Sequence, residues 1–571
     1  MTEKDKVVSA DPALDTLCAE YWAFSCYTQP VNALLAGEQI DEPVLYRESP
    51  ADHAQRADGA RELLKRGEAL GDLPLVGQEA ATLELLLDEL KTTIALYECD
   101  AHLRPSLFPA TPDFNLSFVA SAVPVSSNEQ AERYVELLHS APGYVNDLRE
   151  SLLEGEARGY RNAATALDVT ATAISANLSG GLRETLLKPL RRREQGGGQR
   201  ALISRAEALI EGGLNEALDD LVQALRGPLM SVARSEPGLL GDRRGEELYR
   251  VLCRQFTSVD DDPATIHELG LAEVERLTAE QAELAAEDRH GNDLAAYRQR
   301  LQSDRSYLAP SVGEHLASVR SLCKRIDGAI PDYFATLPRI SYGVELIPES
   351  MADSTPPAYA QPAPADASRP GIFWLTPQLE KCPRYLYPSL ALHEAWPGHL
   401  MHIALMQEQV ALPAFRRNGA LKYTACVEGW AMYCEWLGEE MGIYLQNEER
   451  FGRLNMEMWR AVRLVVDTGI HLYGWSRERA LAYISEHVVL PDAAMASEVD
   501  RYIALPGQAL AYQLGNLKLR GLRRDTERAL GDGFSLRDFH DQLIRSGPVS
   551  LRVLERLTRE WTGVQRERLA A

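Results

Sequence analysis

Apolar positions recur at helical spacing along most of the chain. Segments 58–73, 79–98, 201–225 and 268–287 place apolar residues three or four positions apart, which gives each helix one apolar stripe. Leu, Ala, Glu and Arg dominate these segments, and all four residue types favour the helical conformation. The pattern predicts a mainly α fold built from many helices.

The pattern changes between about residues 340 and 376. The segment ISYGVELIP, which begins at Ile340, and the segment GIFWL, at 371–375, have the composition of strands. Between them lies the run STPPAYAQPAPADASRP, whose prolines fit neither a helix nor a central strand. We therefore predict a small β element with a long irregular connection, next to a histidine-rich helix. An edge strand at that position could bind an extended substrate as an added strand.

The change of composition suggests a division of the chain near residue 330. We expect residues 1–330 to form a helical scaffold region and residues 331–571 to form a catalytic region. The length of 571 residues alone would allow roughly three or four domains. In an intertwined helical protein the boundary has no structural meaning, and we expect the two regions to form one catalytic unit.

Composition and charge exclude several kinds of partner. The net charge is −23 at pH 7, from 60 basic and 83 acidic residues, which argues against nucleic acid or an anionic membrane. There is no run of about 20 apolar residues, and the N-terminal MTEKDKVVSADPALD lacks the apolar core of a signal peptide. The eight cysteines are scattered without a CxxC pair, as is typical of reduced thiols. We therefore expect a cytoplasmic protein.

The segment HEAWPGH, residues 393–399, resembles the zinc-binding signature HExxH with two extra residues. In a straight helix a histidine at i+4 would lie about 40° from His393, whereas His399 at i+6 lies about 240° away. Pro397 cannot donate a hydrogen bond to the carbonyl of His393, and Gly398 adds backbone freedom. We predict that the helix opens here and that a bulge brings His399 back beside His393, with Glu394 adjacent.

Two other interpretations of this segment stay open. His399 and His402 are spaced i, i+3 and would share a helix face without any bulge. The histidines could also be unrelated core or surface residues that bind no metal.

A third metal ligand is expected on a later helix, because hydrolytic zinc sites usually use three protein ligands. In YTACVEGWAMYCEWLGEEMG, Glu428, Glu435 and Glu439 fall on one stripe. Glu428 is flanked by small and apolar residues, and a carboxylate in such surroundings needs a partner such as a metal. The alternative is an acidic residue near a helix N-terminus that interacts favourably with the helix dipole.

Polar residues also interrupt the apolar helix MEMWRAVRLVVDTGIHLYGWS. Arg463, Asp467 and His471 are spaced i, i+4 and i+8, so Asp467 could pair with Arg463 and orient His471. In one interpretation this is a buried ion pair between helices. In the other, His471 or Arg463 binds substrate or stabilises an oxyanion.

Two tyrosines flank the turn Pro506–Gly507 in SEVDRYIALPGQALAYQLG. The hydroxyl of Tyr502 or Tyr512 could donate a hydrogen bond to the transition state of a metal-dependent hydrolysis. On spacing alone, a core tyrosine is the favoured interpretation for each of the two.

Four motifs in order, HEAWPGH, EGWAMYCEWL, WRAVRLVVDTGIHLYGWS and RYIALPGQALAYQLG, resemble the bacterial family named domain of unknown function 885. The resemblance is specific over about residues 340–520 and looser over the first half of the chain. That family is placed with gluzincin-type metallopeptidases of the HExxH kind, near the thermostable carboxypeptidase and oligopeptidase families. The resemblance implies a mostly α-helical, metallopeptidase-like fold with a central cleft.

The resemblance also implies roles for individual residues. Zinc, or another divalent metal, would be held by His393, His399 and Glu428, with Glu394 as the general base. Members of the family often have Gln at the position of His402, which argues against His402 as an essential ligand.

Together these observations predict a zinc-dependent hydrolase that cleaves peptide or related amide bonds of small substrates. Glu394 would accept a proton from the attacking water, and Tyr502, His471 or Arg463 would stabilise the oxyanion. One alternative is a biosynthetic tailoring hydrolase that uses the same site on a non-peptide amide or ester; another is a non-catalytic helical binding protein. We expect a short peptide or small amide as substrate, no nucleic-acid or membrane partner, and a monomer or homodimer.

Overall fold

Helices account for 73% of the described residues in a computed structural model, which confirms the mainly α prediction. The N-terminal segment in which a signal peptide was sought lies partly outside the described residues. None of the described helices is long and apolar enough to cross a membrane. The structure describes residues 11–36, 45–123, 125–192, 197–287, 293–352, 355–364, 367, 369–420 and 422–571.

The helices before the sheet begin where the sequence provides caps. Ser49 and Ser311 each cap a helix by accepting a hydrogen bond from the backbone three residues on, and Ser127 forms a capping box with Gln130. Two π-helical turns, Ile210–Leu214 and Leu225–Leu229, flank α10. These helices are α1 (Pro12–Thr28), α2 (Pro30–Leu35), α3 (Pro50–Glu68), α4 (Gly77–Glu98), α5 (Pro112–Ala122), α6 (Asn128–Ala157), α7 (Ala164–Gly180), α8 (Leu182–Arg191), α9 (Gly197–Leu209), α10 (Asn215–Ala224), α11 (Gly245–Thr257), α12 (Pro263–Glu287), α13 (Leu294–Ser303) and α14 (Val312–Tyr333).

The helices of the C-terminal part are shorter on average and more deeply buried around the histidine-rich segment. Helix α20 is buried at every position from Phe451 to His471, so its charged residues face the protein interior. These helices are α15 (Glu349–Ala352), α16 (Tyr387–Glu394), α17 (His399–Gln407), α18 (Ala414–Arg417), α19 (Thr424–Glu440), α20 (Asn447–His471), α21 (Arg477–His487), α22 (Asp492–Ala504), α23 (Ala511–Leu530), α24 (Leu536–Arg545) and α25 (Leu551–Ala570).

A three-stranded sheet lies at the predicted place. Strand β3 (Gly371–Leu375) is central, parallel to β1 (Tyr342–Leu346) and antiparallel to β2 (Ala358–Gln361). Strands β1 and β3 correspond to the two predicted segments. Strand β2 falls inside the proline-rich run that we predicted to be irregular. It escaped prediction because it is a short edge strand with the prolines at its ends, where the sheet tolerates them.

The buried apolar residues form two main cores. One core lies within residues 31–229 and is built mostly by α5 to α10. The larger core joins α1, α3 and α4 to α12, α14, the sheet and the helices from α16 onward. The N-terminal helices therefore pack directly on the region that carries the histidines: the Tyr21 and Phe415 rings lie 5.3 Å apart, and Lys422 Nζ lies 2.6 Å from Glu89.

All eight cysteines are free thiols, and seven of them are buried. The interior therefore holds them as small apolar side chains, as their scattered spacing indicated.

Candidate metal centre

The backbone changes direction between His393 and His399. Helix α16 ends at Glu394 and helix α17 begins at His399, with a cis peptide bond between Trp396 and Pro397 in the four residues that connect them. The predicted opening at Pro397 is present, but it is a complete break between two helices rather than a bulge within one. The break frees His399 from the angular spacing of a straight helix.

The connection folds back onto the end of α16. A Cβ atom at Gly398 would overlap the carbonyl oxygens of Leu392 and His393, so only glycine fits there. The indole Nε1 of Trp430, on α19, donates a hydrogen bond of 2.9 Å to the carbonyl of Pro397. Glycine packing on one side and this hydrogen bond on the other fix where α17 starts.

Three side chains converge at this point. One ligand atom each from His393, His399 and Glu428 all lie within 4.8 Å of one another. Each imidazole Nε2 is 3.4 Å from Oε2 of Glu428, and the two rings are nearly perpendicular, at 88°. Ligand atoms around a tetrahedral zinc ion with bonds near 2.0–2.1 Å are separated by roughly 3.3–3.4 Å. The spacing of this cluster therefore suits a metal ion.

The donor chemistry of the cluster also fits a metal ion. Oε2 of Glu428 is buried and has no hydrogen-bond partner among the described residues, although it faces both histidines. Two imidazoles and one carboxylate form a ligand set common for catalytic zinc. The side chains of Glu428 and His399 are 20% and 11% exposed, whereas that of His393 is 4% exposed, so the cluster opens to solvent on one side.

The charges around the cluster favour a cation. Burial lowers the pKa of His393, but the neighbouring carboxylates of Glu428, Glu435 and Glu394 outweigh burial and raise it to about 9. Burial raises the pKa of Glu428, but the charge of His399 and the close approach of both imidazoles outweigh burial and hold it well below its usual range. Positive charge between these side chains is therefore stabilised.

Glu435 supports the cluster from behind. Its Oε1 lies 2.8 Å from Nδ1 of His393, so the carboxylate orients the imidazole and leaves Nε2 to face Glu428. Sequence analysis placed Glu435 on the stripe of Glu428 but gave it no role; its spacing of seven residues, two helical turns, was the available signal. Glu439, on the same stripe, instead pairs with Arg450 and Arg453, at 3.3 and 3.0 Å.

Glu394 is the last residue of α16 and is 8% exposed. It adjoins His393 closely enough that its charge contributes to the raised pKa of that imidazole. A carboxylate beside, but outside, a three-ligand cluster is in the position of a general base.

His402 lies beside the cluster but is not one of its three members. Its ring packs 4.9 Å from the ring of Trp430, and burial together with the charge of His399 lowers its pKa to about 3. The metal-type cluster found among the described residues pairs His399 with His393 and Glu428, not with His402.

Tyr502 and Arg463 form a buried network near the cluster. The Tyr502 hydroxyl donates to Glu498 at 2.7 Å and accepts from Nε of Arg463 at 3.0 Å and from Nε1 of Trp459 at 3.2 Å. Arg463 also donates to Glu498 at 3.1 Å. Tyr502 is fully buried, so its hydroxyl is committed to these partners.

His471 and Asp467 have other partners than predicted. The imidazole Nε2 of His471 lies 2.9 Å from the carbonyl of Tyr502, and Nδ1 accepts from the backbone N–H of Leu239 at 3.3 Å. Asp467 accepts from the Tyr249 hydroxyl at 2.6 Å and from the backbone of Gly507. The prediction that Asp467 contacts Arg463 and His471 is wrong, because Tyr249 of α11 lies beside Asp467 and donates to it. Both ring nitrogens of His471 are engaged.

Tyr512 lies on α23, about one helical turn before Gly515, whose backbone contacts Gly429 beside Glu428. It is partly exposed, and Arg463 lies 4.5 Å from the centre of its ring. Burial, and then the charge of Glu428, raise the pKa of Tyr512. Sequence analysis identified Tyr512 only by its position after the turn and ranked Tyr502 ahead of it. The distinction depends on side-chain packing, which spacing does not report.

The fold and this site define a mainly helical protein with a candidate metal centre of two histidines and one glutamate. The chain belongs to the family of bacterial proteins of unknown function DUF885, whose profile matches residues 30–557. No curated protein matches the chain.

Two solved structures share the fold. A candidate lipoprotein from Colwellia psychrerythraea is 25% identical, with a TM-score of 0.89 over 98% of this chain and 100% of that chain. A candidate lipoprotein of unknown function from Shewanella oneidensis is 17% identical, with a TM-score of 0.72 over 96% of this chain and 100% of that chain. The architecture is therefore shared over nearly the whole length of all three proteins.

Proposed function

We propose that this protein is a metal-dependent hydrolase that cleaves peptide or related amide bonds of small substrates. The observation that carries the proposal is the convergence of His393, His399 and Glu428, from three separate helices, with Glu394 adjacent. The resemblance of HEAWPGH to the signature of gluzincin-type metallopeptidases supports the same function.

The three ligands would hold a divalent cation, zinc in the first instance. When bound, such an ion lowers the pKa of water to about 7 and polarises a substrate carbonyl. Glu435 keeps Nε2 of His393 directed at Glu428, its fellow ligand, through its hydrogen bond to Nδ1. Glu394 would accept the proton of the attacking water and deliver it to the leaving nitrogen.

The side chains around the ligands suggest how the transition state is stabilised. Tyr512, which is partly exposed and whose pKa the charge of Glu428 helps to raise, is better placed to donate to a developing oxyanion than the fully buried Tyr502. Arg463 packs against the Tyr512 ring and supplies positive charge behind it. In this proposal Tyr502 and His471 position α20 and α22 rather than touch the substrate.

Metal content tests the proposed centre. The protein, purified without added metal and then exposed to zinc and desalted, should retain about one equivalent by atomic emission. His393→Ala, His399→Ala and Glu428→Ala should each lose it, while the exposed control His139→Ala should not. A wild-type protein that cannot retain zinc, or a cluster variant that binds it normally, would refute the centre.

Glu394→Gln tests the general base separately from the metal. This variant should retain zinc and lose about 10²–10⁴-fold in kcat on short blocked peptides, because proton transfer is lost. Glu486→Gln, at an exposed position, is the control and should keep full activity. Full activity of the Glu394 variant would exclude its role as the base. Absence of cleavage of any peptide or amide by the zinc-loaded wild-type protein would refute the hydrolase itself.

A further inference from the structure

The charged residues of helix α20 differ in whether a residue of opposite charge pairs with them. Arg453 donates to Glu439 and to Glu457, at 3.0 and 2.7 Å, and Glu457 in turn accepts from Arg276 and Arg520, at 2.7 and 2.8 Å. This end of the helix is a closed ion-pair network. Further along the helix, toward the candidate metal centre, this ion-pair network ends.

Arg460 is a buried cation for which the described part of the chain provides no counter-ion. It is 5% exposed, and no carboxylate among the described residues lies within ion-pair distance of its guanidinium. Its Nη1 donates to the carbonyl of Met456 at 3.2 Å, and its Nε has no hydrogen-bond partner in the described part of the chain. Burial lowers its pKa, against the charges of Glu435 and Glu428. A charge held in this way destabilises the empty protein.

Arg463 adds a second cation at the same place. The guanidinium carbons of Arg460 and Arg463 lie 4.8 and 4.6 Å from the ring centre of Trp459, so the two like charges share one indole. Arg463 pairs with Glu498, but Arg501 pairs with that carboxylate too, at 2.8 Å. One carboxylate therefore serves two arginines, and Nη1 of Arg463 has no partner among the described residues.

This positive site adjoins the candidate metal centre. Arg463 lies 4.5 Å from the ring of Tyr512, and Gly515, one helical turn after Tyr512, contacts the backbone of Gly429 beside Glu428. Glu435, which orients His393, is one of the carboxylates whose charge acts on Arg460. A substrate held at the metal centre would therefore reach the two guanidinium groups with an adjoining part of its structure.

We propose that Arg460, together with Nη1 of Arg463, binds a carboxylate of the substrate. The planar guanidinium donors match the two oxygens of a carboxylate, and a bound anion would neutralise positive charge that the described carboxylates leave uncompensated. The inference rests on the proposed hydrolase function and narrows it: the preferred substrates are short amides with a free carboxylate near the bond that is cleaved.

Equilibrium binding tests the carboxylate site without any turnover. N-acetyl-L-leucine and its uncharged amide are titrated calorimetrically into wild-type protein, Arg460→Met and the exposed control Arg528→Met, each with and without zinc. The wild type and the control should bind the acid about tenfold or more tightly than the amide, and Arg460→Met should lose this preference. Equal binding of acid and amide by the wild type, or a preference that survives in Arg460→Met, overturns the proposal.

Thermal stability separates a binding role from a structural role. Because Arg460 has no counter-ion among the described residues, Arg460→Met should melt no lower than the wild type, and Arg460→Lys should keep only a weakened preference for the acid. If both variants melt well below the wild type, Arg460 serves the fold and the proposal is overturned.

Matched peptides identify the source of the carboxylate. A terminal site predicts that blocked dipeptides with a free C-terminus are cleaved at least tenfold faster than their C-terminal amides, and that Arg460→Met abolishes the difference. A site for a side-chain carboxylate predicts that amidated peptides with Asp or Glu are cleaved at least tenfold faster than the same peptides with Asn or Gln. Arg460→Met should again abolish the difference. Arg460-dependent binding of acid without cleavage of any peptide refutes the hydrolase but leaves the carboxylate site standing. If peptides are cleaved at rates that depend on neither carboxylate, the carboxylate site is refuted but the hydrolase is not.

Discussion

At the residue scale, the candidate centre depends on the two carboxylates that flank His393. Glu428 faces Nε2 at 3.4 Å, and Glu435 faces Nδ1 at 2.8 Å, both from helix α19. The two glutamates are seven residues apart, two helical turns, and therefore point the same way. One helix thus provides both a ligand and the group that orients another ligand.

Removing the charge of Glu435 should weaken metal binding without removing a ligand. We expect Glu435→Gln to raise the Kd for zinc about 10–100-fold, because the imidazole loses its carboxylate partner. Titration against a competing chelator measures the change. Glu439→Gln, on the same stripe but paired with Arg450 and Arg453, is the control; equal affinities in all three proteins would contradict the role of Glu435.

At the element scale, close contacts between backbone segments determine where the ligands lie. Gly398 lets the connection after α16 fold against the carbonyls of Leu392 and His393. Gly429 on α19 and Gly515 on α23 contact each other where a Cβ on either would overlap the opposite backbone, next to Glu428. Each ligand is therefore held by a contact between elements that only a residue without a side chain permits.

Substitution of Gly398 tests this arrangement. We expect Gly398→Ala to destabilise the protein by about 1–3 kcal/mol and to weaken zinc retention, because the new methyl group forces the start of α17 away from α16. Gly563→Ala, on α25 with open space around it, should be neutral or slightly stabilising. Urea unfolding of both variants checks the prediction, which fails if Gly398→Ala unfolds at the wild-type concentration.

At the scale of the whole molecule, the N-terminal helices belong to the core of the metal-bearing region. Arg416, a fully buried residue of α18, donates to Gln78 and Thr82 at 2.9 and 3.0 Å, and Lys422 pairs with Glu89. The larger core likewise draws on residues from α1 to α25. Cooperative folding therefore requires both ends of the chain.

A fragment of residues 331–571 should consequently fail to fold alone. Without α1, α3, α4, α12 and α14 it loses one side of its core and exposes large apolar areas to water. Near-ultraviolet circular dichroism and thermal unfolding should show neither fixed tertiary packing nor a cooperative transition. A sharp transition in the fragment would show that the catalytic region is independent.

Mildly acidic pH should destabilise the folded protein, because several buried histidines must stay neutral in it. Burial lowers the pKa of His102 and His471 to about 4 and that of His540 to about 3. The unfolded chain binds these protons near pH 6.5 and the folded chain does not, so stability falls as pH decreases from about 6.5 toward 3. Asp467 and Asp147, whose pKa values burial raises to about 7 and about 6, act in the opposite direction. They are outnumbered by the buried histidines, which also include His402 with a pKa of about 3.

Urea unfolding between pH 7 and 4 checks this dependence. The midpoint should fall steadily, and His540→Gln, which can keep hydrogen bonds to Tyr333 and Tyr433, should reduce the slope. His139→Ala, at an exposed position, should leave the slope unchanged. A midpoint independent of pH over this range would contradict the role of the buried histidines.

The sequence by itself determined the helical class, the place of β1 and β3, and the set His393, Glu394, His399 and Glu428 as the candidate site. The helices and strands depend on local spacing, and the opening after His393 depends on Pro397, which a helix interior does not tolerate. The choice of these four residues as one set came from the resemblance of HEAWPGH and EGWAMYCEWL to a known family. Only the tertiary structure decided the rest. The break after Glu394, the hydrogen bond from Glu435, the position of Tyr512 and the lack of a counter-ion for Arg460 among the described residues depend on distances between helices that are remote in sequence. Periodicity shows which face of a helix is buried, but not which side chains meet there.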